Sequence, residues 1–289
     1  MKPVIRSLTL KGYRSFESAR IEFDNPTFLV GQNGSGKTNL ASAFSFLADA
    51  MSFPLQNVVN ARGGFSSVCH KTPSPNLTPD FGLAIEFAQI NGEVNSGRYA
   101  FQVRGLPDYS FEVLREQCVV QLEGDKTFYF DRSETFEYGF RSAAPASETT
   151  VLRPLLDPTS LVLPTIGGDP RLSPILRTLA AMRVYSIAPA RIRDLQEPDR
   201  GFGLQWDGGN AASVLQQIAR TSPAVVDQIS ELLTVVLPHK VSVRPVQFGK
   251  KLTLEFRQEW GKNQAVTFDA SSMSDGTLRV LGILLAVFQ

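Results

Sequence analysis

The sequence is poor in the residues that build disulfide frameworks and zinc sites. Its 289 residues include two cysteines, Cys69 and Cys118, and two histidines, His70 and His239. Two thiols are too few for a disulfide-stabilised fold or a zinc site, and reduced thiols are expected. Neither histidine has a second histidine or a carboxylate at metal-ligand spacing, so both are expected to be ordinary surface or loop residues.

Long apolar runs and an excess of charge are also lacking. The start of the chain has no apolar stretch of signal-peptide length, and the longest apolar run, Val280 to Phe288, is too short to cross a membrane. With 29 basic and 28 acidic residues the net charge is +1, which neither supports nor excludes nucleic acid as a partner. Hydrophobic residues make up 43% of the chain, enough for a sizeable core. We therefore expect a soluble, cytoplasmic protein.

Hydrophobic periodicity in the first part of the chain indicates mixed α/β structure. The continuous apolar run Thr27 to Val30 predicts a buried strand that stops at Gly31. Helical spacing further on predicts a helix that ends at Pro54. The predicted elements are strands at 4–10, 19–23 and 27–30, a helix at 39–53 and a loop at 57–79.

The middle of the chain is β-rich in pattern. Turns are predicted at 91–92 and 123–125, and the segment 143–174 is expected to be irregular with one or two short helices. A β-rich block after a helix favours an inserted lobe over a doubly wound sheet. The predicted strands of this block are 81–90, 98–104, 109–122 and 126–130.

The rest of the chain has a mixed α/β pattern. Its predicted strands are 184–187, 241–246, 252–256 and 266–268, and its predicted helices are 175–182, 211–219, 224–236 and a last helix from about Ser274.

The segment Gly31 to Thr38 matches the pattern G-x-x-x-x-G-K-[ST] at every fixed position. A predicted strand precedes it and a predicted helix follows, as a phosphate-binding loop requires. Glycines let the backbone approach phosphates closely, Lys37 supplies a cation, and the Thr38 hydroxyl can ligate Mg²⁺. A glycine turn with an incidental lysine is the alternative. The residues predicted to bind ATP here are Gly31, Asn33, Gly34, Ser35, Gly36, Lys37, Thr38 and Asn39.

A second motif, Ser271 to Leu278, precedes the last predicted helix. By itself, Ser274 followed by Asp275 is a common helix start, with a capping serine and an acid in the first turn. The two motifs together resemble the ABC-type ATPases of the SMC and RecF class, and most closely the predicted AAA-family ATPases related to OLD-family proteins. The similar segments are 11–16, 31–39 and 273–277, with looser similarity at 62–64 and 204–210.

The resemblance implies an α/β P-loop ATPase of ABC or SMC-head type with an inserted β-rich lobe. It implies a first core segment at 1–64, the inserted lobe with an irregular segment at 65–180, and a second core segment at 181–289. The similarity spans both ends of the chain and thins out between about residues 65 and 180.

The resemblance also implies roles for three further residues. In this class a Ser-x-Gly signature reaches the γ-phosphate bound by a second subunit, which gives that role to Ser274 and the backbone of Gly276. The helix cap remains the alternative for Ser274. Arg14 falls where the class often places a cation near the phosphates, and a surface arginine at a strand end is the alternative.

One part of the family pattern is missing from the sequence. Family members carry an apolar strand that ends in paired acidic residues shortly after the signature helix, and a later histidine. No stretch up to Gln289 has this pattern. The catalytic residues are therefore unknown, and the resemblance implies catalytic carboxylates beyond Gln289. A shortened chain, a missing C-terminal part and a lost catalytic base are the open explanations, and the abrupt apolar ending favours the first two.

The implied function is an ATP-dependent switch. Mg²⁺ and ATP would join two subunits into a homodimer or higher assembly, and a protein effector or DNA would respond, in DNA maintenance or anti-phage defence. A non-hydrolysing nucleotide-binding scaffold is the alternative, and a nuclease would need a metal-binding domain that the sequence does not show. The charges of Arg191, Arg193 and Arg200 are balanced by nearby acids, which predicts a solvated loop, with a DNA-facing patch as the alternative.

Overall fold

A computed structural model describes residues 4–71, 79–90, 94–108, 110–122, 127–133, 136–141, 149–152, 157–237, 239–260 and 264–289. The chain divides into two compact units, unit 1 at 1–183 and unit 2 at 184–289. Both units combine an antiparallel sheet with helices. The predicted three-part division of the chain stays a prediction, because sheet topology does not say which segment is an insertion.

Unit 1 is built on an eight-stranded antiparallel sheet, in the order β2-β1-β3-β4-β5-β6-β7-β8. After the β1–β2 hairpin, each further strand pairs with the one before it in the chain, apart from β3, which pairs with β1. The strands are β1 (Val4–Tyr13), β2 (Phe16–Glu22), β3 (Asp80–Ile90), β4 (Val94–Gly105), β5 (Phe111–Leu122), β6 (Thr127–Arg132), β7 (Phe136–Arg141) and β8 (Thr149–Leu152), and the helices are α1 (Lys37–Ser52), α2 (Leu55–Asn60), α3 (Phe65–Val68), α4 (Val162–Ile166) and α5 (Ser173–Ala180).

The core of unit 1 forms between α1 and the sheet. The apolar residues of α1 recur every three or four positions, so that Leu40 and Leu47 are buried on one side of the helix. Phe46 meets Tyr13 and Phe81 edge to face, with ring centroids 5.9 and 5.5 Å apart. These contacts fix α1, and therefore the loop that precedes it, against the first strands of the sheet.

A buried carboxylate joins the same sheet to α4. Glu116 on β5 accepts hydrogen bonds from the backbone N–H groups of Val162 and Leu163 in the first turn of the helix. The hydroxyl of Tyr99 donates to the same carboxylate at 2.9 Å. Burial raises the pKa of Glu116, and these hydrogen bonds oppose the rise. The contact joins residues about 46 positions apart in the chain.

Unit 2 contains a three-stranded antiparallel sheet, in the order β11-β10-β9, packed against helices. Leu254 and Phe256 of the central strand share a core with Leu215, Leu278 and Leu281. The elements are α6 (Pro189–Arg193), α7 (Ala211–Thr221), α8 (Pro223–Val236), β9 (Lys240–Phe248), β10 (Lys251–Glu259), β11 (Ala265–Asp269), a 3-10 turn (Ala270–Ser272) and α9 (Asp275–Phe288).

The run Thr27 to Val30 is not the buried strand that its composition predicts. It has no regular secondary structure, and the side chains of Phe28 and Val30 are 84% and 95% exposed. A strand needs a neighbour for its backbone hydrogen bonds, and an apolar side chain is buried only where another segment covers it. Among the strands described for unit 1, none pairs with this run.

Two other predictions are wrong. The segment 184–187 is irregular, because the Ser186 N–H donates to the carbonyl of Trp206 (2.7 Å) in a loop and not to a neighbouring strand. The predicted loop 57–79 contains most of α2 and all of α3. Strands β7 and β8 were not predicted either, and the turns predicted at 91–92 and 123–125 lie outside the described residues.

The other predicted strands and helices are present, with ends shifted by a few residues. Alternating patterns identified β1 to β6 and β9 to β11, and 3.6-residue spacing identified α1, α5, α7, α8 and α9. None of the helices in the described part of the chain is both long enough and apolar enough to span a membrane.

Candidate functional site

The segment Gly31 to Gly36 makes a tight turn directly before α1. Gly34 and Gly36 have φ angles of +82° and +91°, in the region that favours glycine. The N–H of Ser35 donates to the carbonyl of Gln32 across the turn (3.3 Å). A side chain at either positive-φ glycine would strain this backbone, so the glycines are needed here for conformation.

The side chain of Lys37 lies back across the turn. Its ammonium group donates to the carbonyls of Gly31 at 2.7 Å and Gln32 at 2.6 Å. The hydroxyl oxygen of Ser35 is 3.3 Å from the same nitrogen. The cation is therefore held at the loop itself, where a phosphate-binding loop needs it.

The first turn of α1 has no side-chain cap. Gly36 occupies the N-cap position, so no side-chain oxygen accepts from the first N–H groups of the helix. Those groups lack partners within the helix and carry partial positive charge. With the glycine turn they form a nest of backbone donors suited to an anion. The assignment of individual ATP-binding residues in 31–39 stays a prediction that this geometry favours.

The turn between β1 and β2 packs against this loop. The side-chain amide of Asn39 donates to the hydroxyl oxygen of Ser15 at 2.8 Å. A Cβ placed on Gly36 would lie 3.3 Å from that oxygen and 3.2 Å from Cζ of Phe16, so hairpin and loop are in close contact. The hairpin thereby positions the loop relative to the sheet.

Arg14 occupies the first position of that turn in a strained conformation. Its φ is +49°, which a two-residue hairpin turn needs but which asparagine, aspartate or glycine usually supplies. Its N–H donates to the carbonyl of Val68 at 2.8 Å, and its own carbonyl lies 2.7 Å from Nδ1 of His70. Among the described residues, Nε of Arg14 is buried and has no hydrogen-bond partner. The role of this side chain near phosphates stays a prediction.

Thr38 is the second residue of α1, and its side chain is exposed. A neutral hydroxyl oxygen suits Mg²⁺ as one ligand of an octahedral set that water and nucleotide oxygens complete. In the part of the chain that the structure describes, no three His, Cys, Asp or Glu side chains group to hold a metal ion by themselves. The residues fit an ion that binds together with a nucleotide, and the ligand role of Thr38 remains a prediction.

The predicted signature segment forms the start of α9 in unit 2. Ser274 is the N-cap, because its hydroxyl oxygen accepts from the N–H of Thr277 (3.2 Å). The two hydroxyl oxygens of these residues are 2.9 Å apart. A hydroxyl group accepts twice and donates once, so Ser274 keeps a proton to donate when the Thr277 hydroxyl donates to it. The cap is present, and it does not exclude a second role.

The residues that follow the cap are open to solvent. Ser274, Asp275 and Gly276 are exposed, whereas Thr277 is buried. Within the described structure, a Cβ on Gly276 would meet only the Ser274 hydroxyl oxygen, at 3.9 Å. Internal packing therefore leaves room for a side chain at position 276, and the glycine is not explained by the fold of unit 2.

The segment with Arg191 and Arg193 is not the solvated loop that its composition predicts. Residues 189–193 form α6, and both arginines make ion pairs: Arg191 with Asp207 at 3.0 Å, and Arg193 with Asp275 at 2.5 Å. A DNA-facing patch needs free positive charge, and these pairs reduce it. The partners lie too far away in the sequence for charge balance between neighbours to reveal them.

Local patterns also do not identify all residues that shape these sites. Ser15 lies within segment 11–16, which carries part of the resemblance to the SMC and RecF class. Its position next to Arg14 is the sequence signal that could have identified it as a site residue. His70 reaches Arg14 across 56 positions, and Arg193 reaches Asp275 across 82. Contacts at such separations leave no periodic or spacing signal in one sequence.

Known proteins share parts of this sequence. Residues 1–136 match the family of AAA ATPase domains. Over 42 residues the chain is 50% identical to the DNA replication and repair protein RecF of Rickettsia felis, covering 14% of this chain and 12% of that protein. RecF of Rickettsia prowazekii gives the same identity over the same length. The chain thus matches about an eighth of the length of these relatives.

A solved structure is similar along almost the whole chain. It is the crystal structure of an Smc head bound to the C-winged helix domain of ScpA, with a TM-score of 0.53 and 16% identity. The similarity covers 99% of this chain and 77% of that one, which shows the fold. The predicted fold class is therefore confirmed, whereas the closer relation to OLD-family proteins stays a prediction. The chain has the fold of the Smc head domain, and its first 136 residues match the AAA ATPase domain.

Proposed function

We propose that this chain binds ATP and Mg²⁺ through Gly31 to Thr38, and that the bound nucleotide drives association with a second copy of the chain. The observation that carries the proposal is the uncapped start of α1, which leaves backbone donors free beside the ammonium group of Lys37. Backbone donors and a fixed cation are what the β- and γ-phosphates require. The match of residues 1–136 to AAA ATPase domains supports ATP as the nucleotide.

Each neighbouring residue has a part in this proposal. The N–H groups from Asn33 to Thr38 surround the phosphates, and the Thr38 hydroxyl ligates Mg²⁺. Asn39 holds the hairpin turn through Ser15, so Arg14 stays beside the loop. The charge of its guanidinium group, whose buried Nε has no hydrogen-bond partner among the described residues, would place a further cation near the phosphates.

The second copy supplies the signature residues. We propose that the hydroxyl of Ser274 and the backbone of Gly276 contact the γ-phosphate bound by the partner subunit. Two observations favour this over the cap alone: the exposure of residues 274–276 and the unexplained glycine. The positive end of the α9 dipole, at Ser274, favours a phosphate there.

The biological setting follows by analogy. The RecF relatives are DNA replication and repair proteins, and the similar Smc head is bound to a domain of ScpA. We therefore propose a cytoplasmic role in DNA maintenance or anti-phage defence, with a protein effector or DNA that responds to nucleotide-dependent assembly. This part rests on similarity, since a fold alone does not define a partner.

Binding is tested by titration with a fluorescent ATP analogue. Lys37→Ala removes charge-assisted hydrogen bonds of roughly 1.5–3 kcal/mol each, so Kd should rise by about one to two decades. Lys250→Ala is the matched control, because it removes an exposed lysine from the turn between β9 and β10. Equal affinity of wild type and Lys37→Ala would refute the phosphate-loop assignment.

Association is tested by light scattering with a slowly hydrolysed ATP analogue. The wild-type chain should increase in mass with nucleotide, whereas Ser274→Arg should bind nucleotide and remain dissociated. The bulky side chain would block the approach of a nucleotide on the partner. Nucleotide-dependent assembly of Ser274→Arg equal to wild type would show that Ser274 is only a cap.

A further inference from the structure

Arg193 contacts the signature segment on both sides of Ser274. Its Nη2 atom donates to the carboxylate of Asp275 at 2.5 Å and to the carbonyl of Met273 at 3.1 Å. The side chain of Arg193 is 31% exposed and that of Asp275 is 72% exposed. One guanidinium group therefore holds the residue before the proposed signature serine and the residue after it.

The backbone that carries Arg193 is firmly packed. Ile192, the residue before it, is fully buried. A Cβ on Gly282 of α9 would lie 3.1 Å from Cδ1 of Ile192, and one on Gly208 would lie 3.0 Å from its Cγ1. Two glycines thus allow α9 and the 208–209 loop to approach α6 closely. Arg193 extends from a fixed support and not from a mobile loop.

A buried glutamine fixes the end of α6 from the other side. The side chain of Gln196 donates to the carbonyl of Ile192 (3.1 Å) and accepts from the N–H of Ala212 (2.8 Å). Its backbone also exchanges two hydrogen bonds of 2.8 Å with Leu252 of β10. The chain just beyond Arg193 is therefore joined to α7 and to the sheet.

The pairing also changes the charge that a phosphate would meet. Asp275 lies in the first turn of α9, where its negative charge stabilises the helix. The same charge repels a phosphate that approaches Ser274 and Gly276. A guanidinium group in contact with the carboxylate offsets this repulsion while it leaves the helix start intact.

We propose that Arg193 is a positioning residue of the signature segment: it holds Met273 to Gly276 in place and neutralises Asp275, so that a phosphate on a second copy of the chain can be bound. The inference rests on the proposed function of Ser274. It assigns to Arg193 no contact with the nucleotide of its own subunit.

The positioning step is tested without any nucleotide, by amide hydrogen exchange. Arg193→Ala should increase exchange at Ser274 to Leu278 relative to wild type, and Arg193→Lys should increase it less. Arg191→Ala is the matched control, because it breaks an ion pair of the same helix with Asp207, away from the signature segment. Unchanged exchange in Arg193→Ala would overturn the inference, whatever the fate of the proposed function.

The electrostatic step is tested by nucleotide-dependent association. Arg193→Ala should leave the Kd for ATP unchanged and raise the protein concentration for half-maximal assembly by roughly tenfold, the loss of one charge-assisted hydrogen bond. In an Asp275→Asn background the same substitution should have a smaller effect, since no carboxylate then needs neutralisation. A merely structural role predicts equal effects in both backgrounds.

The outcomes separate the inference from the proposal beneath it. Loss of assembly in Ser274→Arg together with normal assembly in Arg193→Ala would overturn the role of Arg193 and leave the proposed function standing. Absence of nucleotide-dependent assembly in wild type would overturn the proposed function and the electrostatic step together. Assembly lost in Ser274→Arg and weakened in Arg193→Ala, with a smaller effect of Arg193→Ala in the Asp275→Asn background, supports both.

Discussion

The carbonyl oxygen of Arg14 lies 2.7 Å from Nδ1 of His70, and this contact helps to hold Arg14 at a φ of +49°. A non-glycine residue in this region costs of the order of 1–3 kcal/mol, and such strain is often found where a side chain is needed for function. The turn would be easier to form with asparagine. An arginine at this position, beside the proposed phosphate loop, therefore favours the proposed role of its side chain in nucleotide binding.

The first prediction separates the stability of the turn from its function. Arg14→Asn should raise the free energy of unfolding by about 0.5–1 kcal/mol, because asparagine tolerates the left-handed conformation. It should also weaken ATP binding, since a donor near the phosphates is lost. Urea unfolding and titration with a fluorescent ATP analogue measure the two effects. Arg14→Lys keeps the strain and the charge, and is the control for both.

If Arg14→Asn gains stability and binds ATP as wild type does, the surface-arginine alternative is correct. The Arg14 side chain would then have no role in nucleotide binding, although its turn is strained.

The second prediction concerns hydrolysis. No stretch of the 289-residue sequence has the apolar run ending in paired acidic residues that the family resemblance implies. Hydrolysis needs a group that orients or deprotonates the attacking water. We expect residues 1–289, prepared as a single chain, to bind ATP and release phosphate at a rate near background. This result is also what the non-hydrolysing scaffold requires.

Phosphate release with and without Mg²⁺ measures this, with Lys37→Ala as the control for contaminating activity. Mg²⁺-dependent turnover in wild type that disappears in Lys37→Ala would show that a carboxylate of these 289 residues activates water.

The third prediction uses the buried carboxylate of unit 1. Glu116→Gln replaces one acceptor oxygen by an N–H₂ group that faces the N–H donors at the start of α4. An unsatisfied buried donor costs about 1–3 kcal/mol, so the free energy of unfolding should fall by that amount. Glu112→Gln, on a half-buried residue of the same strand, is the matched control.

The pH dependence of this difference has a defined sign. Burial raises the pKa of Glu116, so the folded protein binds this proton more tightly than the unfolded chain does. The contribution of Glu116 to stability therefore decreases as pH rises from the ordinary glutamate pKa to the raised one. Glutamine does not titrate, so the advantage of wild type over Glu116→Gln should shrink across that window. Urea unfolding at about pH 5 and about pH 8 tests this, and an advantage that grows with pH would contradict it.

The sequence predicted best what depends on a few consecutive residues. The turn at Gly34 and Gly36 was predicted because only glycine favours its φ angles, and α1 because its apolar spacing is regular. The two-turn helix α2 was missed, although Pro54 at its N-cap and the positive-φ Gly63 after its end are ordinary helix boundaries. The polar and glycine-rich composition around this short helix predicts a loop instead.

The sequence predicted poorly what depends on distant partners. The apolar run Thr27 to Val30 predicts burial, but burial depends on a second segment that covers it. Strand β8 gains its hydrogen bonds from β7, and its own four residues give little pattern. Acidic neighbours predict a solvated loop around Arg193, whereas its actual partner, Asp275, lies 82 positions away. Tertiary contacts decide each of these cases, and no local propensity encodes them.

The last prediction separates the two roles of Ser274 with one substitution that keeps the cap. Aspartate caps a helix about as well as serine does, and its charge is favourable at a helix N-terminus. Ser274→Asp should therefore unfold at the same urea concentration as wild type or slightly higher. It should nevertheless fail to assemble with nucleotide, because a carboxylate offers no proton to the γ-phosphate and repels it. Ser272→Asp adds the same charge to a neighbouring exposed serine in the 3-10 turn, and controls for a general effect of charge on association.

The cap alone predicts a different set of results. Ser274→Ala would then lose about 0.5–2 kcal/mol of stability, as a lost N-cap does, whereas Ser274→Asp would be normal in both stability and assembly. The signature role requires instead that Ser274→Asp keeps its stability but loses nucleotide-dependent assembly, and that Ser272→Asp keeps both. Light scattering and urea unfolding on the same preparations decide between them. Normal nucleotide-dependent assembly of Ser274→Asp would show that Ser274 is only a cap. It would also contradict the role proposed here for Gly276.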